Sequence, residues 1–561
     1  MNIIRTAAIA ALSVIAMVAC IKPASPEPGP EQTGCAHELV FQSGKAATVT
    51  SAGWKDYYQC RKCNEFFEDA EGAVAIPDFG VWKSEGGRGY LAPLPEEMSE
   101  DPNPPAPYGA LPTAGQVAWQ RQEATMFFHF GPATFSGYDG DRADYSASQL
   151  ISHYKPTGLD CDQWAKTASE CGFKGVILTV KHHDGFCLWD NPASTCDVAA
   201  CDAKYQTDVL AELSKACRKY GLNLGIYMSP WDKVTSGDYQ NKYLAAIDDL
   251  LGGKYGTINE FWLDGHNANR AGINFDTVNS KLQSYNENIV IFSNVGPGCR
   301  WVGNEDGNAG ETNWSTFSPD KHGASQTSLP GNYDTYLWSG DENGKIWCPA
   351  ETDLSIRPIG DNNGWFWGAS ETPKSGKQLM EVFYKSTGRN SIMLCNVPPT
   401  QAGVIDDKDV KSLKDFAEMR NAIFSKNLAD GATATAKNCR GSKFLPANMF
   451  DGNYDTYFAT ENGKKTTVIE ITLPAEATFN RVVLQEYIPL GQRVKSFKLS
   501  YKDGDSWKSF NRGGNGTTIG CKRIMLTNTV TTTAVKLEIT GSLDCPAINF
   551  FGLYNDTVSG I

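Results

Sequence analysis

The sequence predicts an α/β protein built around a (β/α)8, TIM-like barrel, with a β-sandwich after it and a small Cys-rich unit before it. Three observations carry that prediction. From about 113 to 425, short apolar runs alternate with amphipathic helical patterns, the rhythm of a parallel barrel. From 427 to 561, turns rich in Thr, Asn and Gly separate alternating strands at even spacing, as in a sandwich. Between 35 and 78, paired Cys and His residues punctuate a stretch too short to fold on its apolar content alone.

The chain's 561 residues leave room for that many units. A net charge of −13 and the lack of any basic stripe argue against nucleic acid as a partner. Fourteen Trp are a mild sign of sugar binding, because indole faces stack on the C–H face of pyranose rings. Any one Trp, taken singly, is by default a core residue.

In chain order, residues 1–20 read as a secretory signal, with Arg5 before an apolar run too short to span a bilayer. Met17-Val18-Ala19-Cys20 resembles a bacterial lipobox, which makes Cys20 a lipidated N-terminus; plain secretion is the alternative. Residues 21–34, rich in Pro and Glu, suit a tether. These features place the chain in the bacterial cell envelope, bound to a membrane through a lipid anchor. In the unit at 35–78, Cys35, His37, Cys60 and Cys63 are ligand types that tetrahedral zinc prefers. A Cys60–Cys63 disulfide, or simple thiols, would also fit. Residues 79–112 read as a linker, Pro-rich from 97 onward. Cys171, Cys187, Cys348 and Cys395 lie in apolar contexts and are expected as buried thiols.

Within the barrel region the apolar runs end in polar residues: His129, His182, His183, Asp184, Asp232, Asp264, Asp353 and Asn396. A barrel gathers such strand ends at one rim, where active sites form. In Glu260-Phe261-Trp262-Leu263-Asp264-Gly265, apolar residues carry the chain to a carboxylate and a glycine follows for the turn. A second acidic cluster spans Arg300 to Asp306 and Gly310 to Ser315; it includes Glu305, Glu311 and Trp314. Two carboxylates on different strand ends, among Trp and His, suggest glycoside hydrolysis, one attacking the anomeric carbon and the other protonating the leaving oxygen. Acid pairs also bind metals, and a His-only zinc site is the competing reading of the histidines. In Lys181-His182-His183-Asp184-Gly185-Phe186, adjacent histidines on a strand would face opposite ways. Both can reach a rim ligand only past the strand end.

These residues resemble the α-L-fucosidases of glycoside hydrolase family 29. The resemblance rests on His129-Phe130-Gly131, on Lys181 to Phe186 with Trp189, and on Trp262-Leu263-Asp264-Gly265, and it covers most of 113–425. It implies an irregular (β/α)8 barrel, retention of anomeric configuration and catalysis without a cofactor. It implies Asp264 as nucleophile and His129, His182, His183 and Trp189 as fucose-binding residues. Trp314 and Trp365 are further aromatic candidates for the sugar or its methyl group. Gly303-Asn304-Glu305, after Arg300-Trp301-Val302, looks like the branch selective for α-1,3 and α-1,4 linkages, which implies Glu305 as acid/base, with Glu311 the runner-up. The expected partners are fucosylated oligosaccharides or glycoproteins such as Lewis-type antigens. A non-catalytic surface glycan-binding lipoprotein is the alternative, and a barrel hydrolase for another sugar a third reading.

Residues 427–561 resemble discoidin-like, galactose-binding-like modules, on Met449 to Phe458 and Ile548 to Tyr554. Some such modules hold calcium near the Asp451-Gly452-Asn453 turn, and sugar binding and buttressing of the barrel are equally open roles for this one.

Overall fold

The computed structural model describes residues 36–42, 56–77, 79, 82, 104–139, 143–319, 321, 325–328, 334–440 and 443–561. The signal, the lipobox, the tether and Cys35 lie outside the described residues. The first unit is a four-stranded antiparallel sheet of β1 (Leu39–Gln42), β2 (Tyr57–Cys60), β3 (Phe66–Phe67) and β4 (Ala75–Ile76). Phe79 and Trp82, read above as linker, pack onto its small core with Phe66, Ile76 and Tyr57. Residues 104–112 are not slack either. The Tyr108 N–H donates to the Leu490 carbonyl at 3.0 Å, and Arg493 Nη2 donates to the Ala106 carbonyl at 2.6 Å.

The barrel is closed and wholly parallel. Its strands are β5 (Ala124–Phe128), β6 (Gly175–Lys181), β7 (Asn223–Met228), β8 (Ile258–Trp262), β9 (Val290–Ser293), β10 (Cys299–Trp301), β13 (Ala350–Ser355) and β14 (Ile392–Asn396), the last pairing with the first. An antiparallel pair, β11 (Thr316–Phe317) and β12 (Ile346–Trp347), is inserted between β10 and β13. Burial follows the strand period of two. Phe127, Ile177, Tyr227, Trp262, Phe292 and Leu394 pack together inside the barrel. Their neighbours Met126, Phe128, Val176, Leu178, Ile226 and Phe261 face the helix layer. The sequence shows no polar–apolar alternation there, because both faces of these strands are buried and the runs are apolar throughout.

The helices between strands carry capping signals. Asp160, Asp208, Asn274 and Ser375 each accept a backbone N–H from the first turn of the helix they precede. The barrel is irregular at β9–β10, where residues 294–298 join two parallel strands without a helix. Gly298 makes that close return feasible, since a Cβ there would stand 2.3 Å from the Ile291 nitrogen. Burial pushes the Cys171 thiol up to about 11 and those of Cys187, Cys348 and Cys395 to about 12, so these are inert core groups.

The C-terminal module is an antiparallel sandwich around Phe458, Ile469, Ile471, Phe479, Leu484, Val535, Leu537 and Phe551. Its two long strands, Thr467–Glu486 and Arg523–Ser542, slip register between Thr472 and Ala477 and again near Phe479, which bends them. At the Asp451 turn, Oδ1 accepts the Asn453 N–H at 2.8 Å and Oδ2 accepts the Thr456 hydroxyl at 2.5 Å. Both oxygens of the carboxylate thus brace the turn itself.

Candidate active site

A cavity of about 460 Å³ opens at the C-terminal rim of the barrel. Its lining includes His129, His182, His183, Asp264, Glu305 and Trp365, which β5, β6, β8, β10, β13 and the loops after them deliver to one place. The two adjacent histidines reach it as expected: β6 ends at Lys181, so His182 and His183 stand beyond the strand and are freed from its alternation.

Along β8, residues 260, 262 and 264 point inward in turn. Glu260 lies deep, Trp262 stacks on Phe292 with ring centroids 3.4 Å apart, and Asp264 emerges into the cavity. The Tyr227 hydroxyl donates to Asp264 Oδ2 at 3.0 Å, and the His266 N–H donates to Oδ1 at 2.8 Å. His183 Nε2 stands 3.5 Å from Oδ2. Burial alone would raise the Asp264 pKa. The hydrogen bond and charge of His183, with the His266 N–H, outweigh it and hold the carboxyl well below the usual range. Asp264 is therefore an anion at neutral pH. Gly265 serves it by leaving space: a Cβ there would lie 2.1 Å from Asn294 Nδ2.

The histidines are oriented from behind. Ser229 Oγ donates to the Trp231 carbonyl, which leaves it to accept from His183 Nδ1 at 2.8 Å. Ser229 on one ring nitrogen and Asp264 beside the other fix the orientation of the His183 ring. Asn396 at the end of β14 donates to the Ser355 hydroxyl and the Trp365 carbonyl, so its Oδ1 is the acceptor for His129 Nδ1 at 2.9 Å. Burial, then the nearby His182, pushes the His129 pKa down to about 3. His129 is thus neutral, with Nε2 left as an acceptor for a hydroxyl. His182 Nδ1 lies 3.1 Å from Asp139 Oδ1. Trp365 stacks on His129 at 5.5 Å, offering an apolar wall beside these polar groups.

Glu305 is exposed at the rim, in the segment after β10, and shares the cavity with Asp353 of β13. Burial, then the Glu305 charge, raises the Asp353 pKa well above the carboxylate range, and Trp301 Nε1 donates to Asp353 Oδ1 at 2.9 Å. The cavity therefore pairs an anionic carboxylate with a second acidic pair that retains a proton. That combination serves attack at one carbon and protonation of a leaving oxygen.

Three expectations are corrected. Trp189 lies outside the lining: it is fully buried in the helix-layer core, and its indole N–H donates to Asp249 Oδ2 at 3.0 Å. Trp314 is also buried outside the cavity, in the segment below Glu311. Glu311 is paired with Arg389 and, at 2.6 Å, with Arg523 of the sandwich, so it does not reach the site. Among the other strand-end residues, Asp232 is tied to Lys181 at 2.6 Å, and Asp184 caps the Phe186 N–H. Tyr227, Asp139 and Asn294 are cavity residues that sequence reading missed. Tyr227 carried a usable signal, being the inward residue of β7 at the level of Trp262, its pairing partner.

The comparisons with known proteins converge on one family. The α-L-fucosidase family profile matches residues 113–421, and that of the F5/8 type C domain matches 432–549. The chain is 38% identical to a putative α-L-fucosidase 1 of rice (Oryza sativa) over 87% of its own length and 91% of the relative's. It is 39% identical to α-L-fucosidase 1 of Arabidopsis thaliana, over 81% and 90%. A GH29 fucosidase of Ruminococcus gnavus solved in complex with fucose superposes with a TM-score of 0.72 at 31% identity, over 84% of this chain and 98% of that one. A putative α-L-fucosidase of Bacteroides thetaiotaomicron gives 0.73 at 32%, over 81% and 100%. The chain belongs to the α-L-fucosidases of glycoside hydrolase family 29, and it is a glycoside hydrolase.

Proposed function

We propose that this α-L-fucosidase removes terminal fucose with retention, by double displacement, from α-1,3- and α-1,4-linked branched glycans. Asp264 attacks C1 of fucose while Glu305 protonates the leaving oxygen. The C1–O bond to the aglycone breaks and a fucosyl ester forms on Asp264. Glu305 then takes a proton from water, which attacks C1 and releases fucose. The reading is carried by Asp264, kept anionic by His183 and the His266 N–H in the same cavity that Glu305 lines. A carboxyl group must be ionised to act as a nucleophile. The exposed position of Glu305 suits an acid on the leaving-group side, where the aglycone extends to solvent. Neutral His129 and the Asp139-oriented His182 are placed to hold sugar hydroxyls, and Trp365 to pack on the ring or its methyl group. The resemblance around Arg300 to Glu305 supports the linkage preference. The N-terminal residues support a lipid-anchored envelope location.

Proton NMR of a fucosylated trisaccharide during the first minutes of hydrolysis tests the stereochemistry. Retention releases α-L-fucose before mutarotation; β-L-fucose appearing first would refute it. Running α-1,2-, α-1,3-, α-1,4- and α-1,6-linked substrates in parallel tests the branch assignment, which predicts release from the 1,3 and 1,4 linkages.

A further inference from the structure

The N-terminal unit has no part in the chemistry described above, yet it gathers three soft donors at one corner. In β1–β2 pairing, Leu39 stands opposite Cys60, so His37, two residues before Leu39, overhangs the turn Cys60-Arg61-Lys62-Cys63. That turn is knitted by backbone bonds: Asn64 N–H to the Cys60 carbonyl at 2.9 Å, and Arg61 N–H to the Glu38 carbonyl at 2.9 Å. The donor atoms of His37, Cys60 and Cys63 all fall within 4.8 Å of one another. His37 Nδ1 is 3.4 Å from Cys63 Sγ. Two such ligands on one tetrahedral zinc, at ~2.1 and ~2.3 Å from it, would stand about 3.6 Å apart.

Two further contacts surround these donors. The Lys62 N–H points at Cys60 Sγ at 3.4 Å, the kind of contact that supports a thiolate. Glu65 Oε2 accepts from Cys63 Sγ at 3.5 Å and lies 4.0 Å from His37 Nε2, at the edge of the same cluster. The unit also needs help to fold. Its strands have four, four, two and two residues, and its buried core is Phe66, Ile76 and Phe79. Folds of this size are commonly completed by a metal or a disulfide.

We propose that His37, Cys60 and Cys63 bind a structural zinc ion that staples this unit. Metal binding releases the thiol protons and forms Zn–S bonds without any change of oxidation state.

The test uses the full chain, expressed with zinc in the medium and purified without chelator under reducing conditions. Elemental analysis should find about one zinc per chain. The Cys60→Ser/Cys63→Ser double variant should lose it while cleaving a fucoside at the wild-type rate, which shows that the barrel is folded. His37→Cys, which substitutes one ligand type for another, should retain it. Cobalt(II) in place of zinc should give thiolate-to-metal charge-transfer absorption in the wild type and not in the double variant. Zinc content unchanged in the double variant, a reduced wild-type chain without zinc, or a Cys60–Cys63 disulfide in chain isolated from its native envelope would each overturn the proposal.

Discussion

Acidity in this barrel is decided residue by residue. Glu260 on β8 and Asp264 just past its end lie four residues apart, yet their surroundings drive them in opposite directions. Asp264 meets His183 and the His266 N–H and stays charged. Glu260 sits below the Trp262 layer, where burial lifts it to about 7, with Trp119 Nε1 donating to Oε2 at 2.9 Å. Facing it, Glu351 is raised further, by burial first and then by Glu260, and accepts the Trp262 N–H at 2.7 Å. Both raised acids bind protons more tightly in the folded chain than in the unfolded one. Folding is therefore favoured below the ordinary glutamate range, and that stability is lost as pH rises through about 7. Glu351→Gln keeps a neutral group against Glu260, so thermal melts between pH 5 and 8 should show the variant losing less stability than wild type, by on the order of 2 kcal/mol. Parallel losses in the two proteins would contradict this account of the buried pair.

At the level of elements, the strand ends were the legible part. Asp264, His129, His182 and His183 each follow an apolar run, and a closed parallel barrel must bring such residues to one rim. What stayed hidden depends on contacts across the barrel. Tyr227 reads as one more aromatic inside a strand, and only closure sets it against Asp264. Asp139 lies in a Gly- and Asp-rich loop, and nothing local announces His182 as its partner. Trp189 and Trp314 mislead for the converse reason. They neighbour the site in sequence, but the loops that follow each motif turn those indoles into the core. Glu305 and Glu311 show the same limit: six residues separate a cavity acid from an interface acid, and which is which depends on where the sandwich docks.

Across the whole molecule, the sandwich grips the segment that follows Glu305. Arg523 donates to the Glu311 carbonyl at 2.7 Å and pairs with its carboxylate. Thr518 Oγ1 accepts the Asn313 N–H at 2.9 Å, and Gln492 Oε1 accepts that of Ser315 at 2.7 Å. On the barrel side, Asn313 Oδ1 accepts from Arg300 Nη2 at 3.0 Å, which ties the same segment to β10. These bonds give the module a buttressing role, and they make Glu305's position depend on a domain that does not line the cavity. Arg523→Ala should lower kcat several-fold on a fucosyl trisaccharide with little change in KM, and should cost about 1–3 kcal/mol of stability in thermal unfolding. Wild-type kcat in a variant of that reduced stability would separate the seam from the site.

The division of labour between Asp264 and Glu305 is tested most directly by azide rescue of two truncations. In Asp264→Gly, azide entering the vacated nucleophile position should yield β-L-fucosyl azide. In Glu305→Ala, azide acting on the fucosyl–enzyme should yield the α anomer. The same anomer from both variants, or wild-type hydrolysis by Asp264→Gly without azide, would contradict the assignment.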